Sequence, residues 1–195
     1  MTKGMFGYSV VRASQEGDFF NDLFDLMDKF DVTIEGLHTE TGPGVYEAAI
    51  LYKDVLEAAD RSVLFKTAAK EIGHFHGVIP TFMAKWSSEL PGCSGHLHQS
   101  LWKDGKNIFF DGSSKNKMSQ EMESYIAGQL LCLPEILPMY APTINSYKRL
   151  VEGMWAPTTL TWAIDNRTTA IRALPGSEKS TRIELRVVGS DMNPY

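Results

Sequence analysis

Cysteine is nearly missing: Cys93 and Cys132 are the whole supply, and no CxxC pair exists. Two cysteines cannot build a disulfide framework, so a reducing, cytoplasmic setting is expected and stability must come from packing. Long apolar runs are missing too. The opening MTKGMFGYSV is too short and too broken for a secretory leader, and no later stretch is long enough to span a bilayer, so no membrane partner is expected. An excess of basic charge is absent: 19 Lys and Arg against 24 Asp and Glu leave a net charge of −5. That balance argues against nucleic acid as the main partner while permitting a local basic site. Repeats, low-complexity tracts and an obvious linker are likewise missing. What remains is a chain of 195 residues, 43% hydrophobic and 22% charged, long enough to bury a real core.

Hydrophobic spacing supplies the elements. Residues 16–30 predict a helix with Phe19, Phe20, Leu23, Phe24, Leu26, Met27 and Phe30 on one broad stripe. Residues 31–37 and 45–52 read as strands about the turn TGPG at 41–44, giving an antiparallel hairpin. A long helix is expected over 54–73. Residues 94–102 alternate as a strand, and KDGK at 103–106 before Ile108-Phe109-Phe110 suggests a second hairpin. A helix over 119–133 should end before Pro134. Short strands are expected at 159–164, 168–173 and 182–188. Hairpins mixed with helices indicate an α+β fold, an antiparallel sheet with flanking helices, over a single domain.

Four patterns could carry chemistry. In TRIELRVV at 181–188, alternation puts Arg182, Glu184 and Arg186 on one face and Ile183, Leu185 and Val187 on the other. The charged face either lines a cleft or is solvated with weak ion pairs. His96 and His98, two residues apart on a strand, point the same way and can help hold a divalent cation or a nucleotide; a pair of surface histidines is the plainer alternative. Glu40 and Glu47 flank the TGPG turn, where a hairpin can bring two carboxylates to one hard cation such as Mg²⁺; two turn acids with no ligand would look the same. Arg149, Arg167, Arg172, Arg182 and Arg186 crowd the last third, and guanidinium forks match phosphate and carboxylate oxygens; a basic surface balanced by nearby acids is the alternative. Together the patterns suggest a Mg²⁺ and phosphate site for phosphoryl transfer.

In order along the chain, these segments resemble the catalytic domain of glutamine synthetase from about Asp31 to Tyr195. NSYKRLV at 145–151 resembles the signature loop of that family. TETGPGVYE resembles its Glu-containing hairpin, TFMAK and GHLHQSLW its nucleotide strand, and NRTTAIR, RIELR and NPY its later segments. The resemblance implies a ligase that joins glutamate, ammonia and ATP through a γ-glutamyl phosphate with divalent cations, Mg or Mn. It implies Glu40 and Glu47 as ligands of one metal and His96 and Glu184 as ligands of another. His98 and Ser100 would contact nucleotide; Arg149 and Arg186, with Gly92, would hold substrate glutamate; Arg167, Arg172 and Arg182 would surround the phosphates. It also implies a homo-oligomer. An N-terminal β-grasp domain and a C-terminal remainder of the family would lie outside these 195 residues, leaving some apolar edges without their usual cover.

The departures from the family pattern point another way. Trp155 stands where the family has a flap glutamate, and an indole cannot accept a proton or balance a cation. Loss of one such preorganised group costs roughly 2–4 kcal/mol of barrier. The indole would also fill space meant for substrate and act as a packing or contact residue. Pro91 replaces an asparagine ahead of the HxH strand, Val45 a glutamine between the hairpin glutamates, and Asp165 a position often basic in bacterial members. These departures favour a pseudoenzyme similar to the lengsin-like branch of the lens, with no catalytic residues expected, a structural or chaperone-like role, and intermediate filament proteins as partners. The alternative is an ATP- and Mg-dependent glutamate–ammonia ligase.

Overall fold

The computed structural model describes residue 4 and residues 7–195, and the chain divides into two compact units: Met1–Phe82 with Pro194–Tyr195, and Met83–Asn193. The segment where they divide, GVIPTFMAKW, is as apolar as its surroundings, so composition gave no linker signal.

In the first unit, α1 (Val10–Ser14) is a short helix absent from the hydrophobic pattern, started by the Ser9 side chain accepting from the Arg12 amide. Helix α2 (Gly17–Lys29) buries Phe20, Leu23 and Met27. The expected stripe is narrower than its composition suggests: Phe24, Leu26 and Phe30 are exposed, because one face of a helix holds about three apolar positions per two turns. Strands β1 (Ile34–Thr39) and β2 (Tyr46–Ile50) form the expected antiparallel hairpin, with His38 opposite Glu47. Its turn is closed by the Glu40 amide donating to the Val45 carbonyl at 2.8 Å, with Gly44 at φ 71°. Helix α3 (Val55–Phe75) packs Ala69 and Ile72 against Leu23, Met27, Val32 and Ile34.

The second unit is built on a sheet of four strands in the order β3 (Leu97–Gln99), β8 (Arg182–Leu185), β7 (Ile171–Leu174), β6 (Trp162–Ile164). Its strands are shorter than those expected at 94–102, 159–164, 168–173 and 182–188. Three of the four are paired antiparallel, but β6 and β7 run parallel. The return between them is short because Asn166 folds the loop on itself: its Oδ1 accepts from the Thr168 amide and hydroxyl, and its carbonyl accepts from Thr169 Oγ1. The KDGK turn joins β4 (Trp102–Lys103) to β5 (Lys106–Asn107), while Ile108–Phe110 lies beyond the ladder. Phe109 instead enters the core, held by buried Asn107, whose Oδ1 accepts from its amide and whose Nδ2 donates to the Glu178 and Thr181 carbonyls.

Helix α4 (Gln120–Tyr140) does not stop at Pro134; it continues through Pro134 and Pro138. Each proline removes one helix hydrogen bond. The apolar face nevertheless continues as Leu133, Ile136, Leu137 and Tyr140, all packed on the cluster of Met122, Ile126, Ile171, Ile183 and Leu185, and that burial outweighs the missing donors. Helix α5 (Ile144–Tyr147) follows, closed by a reciprocal cap between Thr143 and Ser146. Among the described residues, no helix is long and apolar enough to cross a membrane.

Candidate functional site

On the hairpin of the first unit, strand alternation puts His38 and Glu40 on one face, and the register brings Glu47 across from His38. His38 Nδ1 lies 3.5 Å from Glu40 Oε1, and His38 Nε2 lies 3.7 Å from Glu47 Oε1. One ligand atom from each residue falls within 4.8 Å of the others. Three half-exposed donors of this kind fit one divalent cation, with two carboxylates for a hard ion and an imidazole that also suits Mn²⁺. The Tyr8 ring lies 4.6 Å from the His38 ring at an interplanar angle of 31°. His38 was missed in the sequence because HTE is an ordinary strand fragment; its i, i+2 relation to Glu40 was the available signal.

In the second unit, Glu184 is the centre of a polar cluster. It sits on β8 between His98 on β3 and Arg172 on β7 in register, and only 3% of it is exposed. Its Oε1 lies 3.0 Å from His96 Nδ1, 3.8 Å from His98 Nε2 and 2.7 Å from Arg186 Nη1, while Oε2 accepts from Arg172 Nη1 at 3.1 Å. Burial alone would raise the Glu184 pKa, but the His96 hydrogen bond and the charges of His96 and Arg186 hold it well below the usual carboxylate range. Strand alternation correctly separates Ile183 and Leu185, in the core, from the charged face. On that face Glu184 and Arg186 are buried and Arg182 is half-buried, with the side chains of His96, His98 and Arg172 gathered around Glu184.

His98 keeps 42% of its side chain exposed, yet lost hydration lowers its pKa to about 4 against the pull of Glu184, with Arg182, His96 and Arg172 also lowering it. The geometry agrees: His98 Nδ1 accepts from Arg182 Nε at 3.0 Å, as only a ring lacking that proton can. Arg172 also clasps Asp165 through Nε and Nη2, so Asp165 braces this guanidinium. Arg186 Nε donates to the Arg167 carbonyl at 2.9 Å. Ser100 lies beyond β3, where its Oγ accepts from Trp102 Nε1. The cluster therefore offers a carboxylate, two imidazoles and several cations on one sheet face, a composition suited to a metal ion and anionic oxygens.

Arg149 lies elsewhere in this unit. It is 4% exposed, and its Nη2 donates to the carbonyls of Arg186, Val187 and Val188 at 3.2, 2.6 and 3.1 Å. Burial and the Arg186 charge lower its pKa to about 10, against the pull of Asp191, which leaves it a cation at neutral pH. Its Nε is buried without a partner. Gly92 lies against its stem, where a Cβ would meet the Ala84 carbonyl oxygen at 2.2 Å and Arg149 Cγ at 2.7 Å. The neighbouring Asn145 exchanges two hydrogen bonds with the Lys85 backbone, so the basic loop is buckled to the 84–95 and 186–191 segments.

Trp155, expected to occupy space meant for substrate, lies in the loop that follows Arg149. It is 58% exposed at φ 58°, in a loop that also carries Gly153 at φ 79°. Its indole faces a cavity of about 530 Å³ shared with Glu152, Ala156, Thr158, Thr159 and Thr168. A left-handed backbone at a bulky non-glycine residue is uncommon, and no sequence period reveals it.

A family model described as glutamine synthetase, catalytic domain, matches residues 2–195. Type-1 glutamine synthetase 2 of Dictyostelium discoideum is 58% identical over all of this chain and 37% of its own length. Glutamate–isopropylamine ligase of a Pseudomonas species is 37% identical over 96% of this chain and 41% of its own length. A solved GmaS/ADP complex superposes with a TM-score of 0.88 at 29% identity, covering all of this chain and 46% of that one. The chain thus spans about two fifths of the length of the curated relatives it matches.

Proposed function

This chain belongs to the glutamine synthetase catalytic-domain family, and from that membership we propose that it is part of an ATP-dependent ligase that joins the γ-carboxyl of glutamate to an amine. The observation that carries this reading is the hairpin trio of His38, Glu40 and Glu47, a gathered cation site where the family resemblance puts metal ligands. A divalent cation there would supply charge neutralisation of phosphate oxygens, which does most of the work in phosphoryl transfer. His96 and Glu184 would serve a second ion, and Arg172, Arg182 and Arg186 would hold anionic oxygens. Arg149 and Gly92 shape the backbone beside which glutamate would lie. A homo-oligomer is proposed on the same membership.

This reading takes the ligase alternative ahead of the non-enzymatic one. The 58% identity to a glutamine synthetase supports it, and neither lens function nor intermediate filament partners find support in the relatives compared. On this reading the Trp155 substitution is a change in the acceptor site rather than a loss of chemistry. The test is ADP release by the full-length protein with Mg²⁺-ATP, glutamate and an amine. Release that needs both glutamate and amine is expected. Saturable Mg²⁺-ATP binding, abolished by EDTA, with no amine-dependent release would return the pseudoenzyme reading.

A further inference from the structure

Three arginines belong to the Glu184 cluster, and each sends its Nε to a different kind of partner. Arg186 Nε donates to the Arg167 carbonyl at 2.9 Å, and Arg182 Nε to the His98 ring at 3.0 Å, both neutral acceptors. Arg172 Nε donates to Asp165 Oδ1 at 2.9 Å, and Nη2 of the same guanidinium meets the same carboxylate. Of the three, Arg172 therefore is the one whose Nε–Nη2 edge is covered by an anion. That edge is a fork with which a guanidinium reads carboxylate or phosphate oxygens.

The two carboxylates on Arg172 differ in how firmly they are held. Glu184, on Nη1 at 3.1 Å, has 4% of its side chain exposed, whereas Asp165 has 69%. A buried pair is costly to break from one side, while an exposed pair shifts an equilibrium by at most roughly fivefold. An anion that reaches Arg172 from solvent therefore meets Asp165 as the exchangeable partner and Glu184 as the fixed one. The backbone of Asp165 is tied down as well. Asp165 follows β6 at φ 49°, and its amide donates at 2.9 Å to the carbonyl of Ala173, the neighbour of Arg172 on β7. Release of Arg172 then needs only a rotation of the Asp165 side chain.

We propose that Asp165 is an internal competitor: its carboxylate occupies the fork of Arg172 that takes a phosphate oxygen, and a phosphoryl ligand binds there by displacing it. The inference rests on the ligase reading above, which puts anionic oxygens at Arg172. Exchange of one anion for another keeps this guanidinium matched with and without ligand. It also lowers phosphate affinity, for two reasons. Apparent affinity falls with the fraction of molecules whose fork is open, and the displaced carboxylate repels the anion that replaced it.

The experiment is calorimetric titration of the full-length protein with Mg²⁺-ATP. Asp165→Asn and Asp165→Gly both remove the charge, and both accept a left-handed backbone. Each should bind Mg²⁺-ATP roughly five- to tenfold more tightly than the unaltered protein, and inorganic phosphate should compete better by a similar factor. The gain should narrow in roughly 0.5 M salt, which screens an exposed charge but leaves a backbone effect untouched. Binding that is unchanged or weaker in the variants overturns the inference and leaves the ligase reading standing; weaker binding would make Asp165 a brace that Arg172 needs. A gain undiminished by salt overturns it as well. No Mg²⁺-ATP binding by any of these proteins overturns both readings. Should Asp165→Asn fail to fold, Asp165→Gly decides the matter.

Discussion

Glu184 shows how much one side chain can organise. Its carboxylate is buried with Arg172 and Arg186 on separate oxygens and His96 beside them, so its removal leaves the buried Arg186 guanidinium without a carboxylate, while Arg172 keeps Asp165. Glu184→Gln should destabilise the protein by about 3–5 kcal/mol, the cost of breaking a buried ion pair on one side. Urea denaturation measures it; a change under about 1 kcal/mol would mean that the arginines find solvent instead. Gly92 is a steric counterpart. A methyl there collides with backbone at Ala84 rather than with a movable side chain. Gly92→Ala should therefore cost about 1–3 kcal/mol by overpacking, read from the same denaturation midpoint. The importance of Glu184 was legible as a charged residue on an alternating strand. Its burial was not, because that depends on His98 and Arg172, which lie 86 and 12 positions away in the sequence and meet it only in the sheet.

Among the elements, the β1–β2 hairpin is the one whose local pattern carried through to a site. Two strands, a Pro-Gly turn and flanking glutamates suffice to put Glu40 and Glu47 near one another, and the register adds His38. Mn²⁺ should raise the melting temperature of the full-length protein, by about 2.7 kcal/mol of added stability when the ion is present at a hundred times its Kd. Glu40→Gln with Glu47→Gln should remove the part of that shift due to this site, and His38→Ala should weaken it; calorimetry at several Mn²⁺ concentrations separates these outcomes. Helix α4 teaches the opposite lesson. Pro134 signals a stop, and the stop does not occur, because Leu133, Ile136 and Leu137 still have a core to enter. Pro134→Ala restores a donor at an exposed position and should stabilise the protein by up to about 3 kcal/mol, measured by urea denaturation.

Across the whole molecule, apolar side chains remain uncovered in each unit. Tyr52, Val55, Leu56, Phe75 and Ile79 are exposed in the first, and Leu131, Met139 and Ile144 in the second. Apolar side chains of this size mark association surfaces where they lie together, as Val55 and Leu56 do in the chain. Expressed by itself, the chain of 195 residues should self-associate at micromolar concentration and bind an apolar dye. Val55→Lys with Leu56→Lys should reduce both, checked by sedimentation velocity and dye fluorescence.

The sequence by itself determined the features set by near neighbours. The α2 and α3 helices, the TGPG hairpin and the division of β8 into Ile183 and Leu185 against Glu184 all follow from periods of 3.6 or 2, and the ordered motifs carried the family. Tertiary structure alone decided where distant groups meet: Arg149 buried on three carbonyls, Arg182 on the His98 ring, β6 parallel to β7, and Trp155 turned out toward a cavity. Spacing along a chain fixes which face of its own element a side chain occupies. It does not fix what covers that face, and a charged or aromatic group takes its pKa, exposure and ligands from the cover.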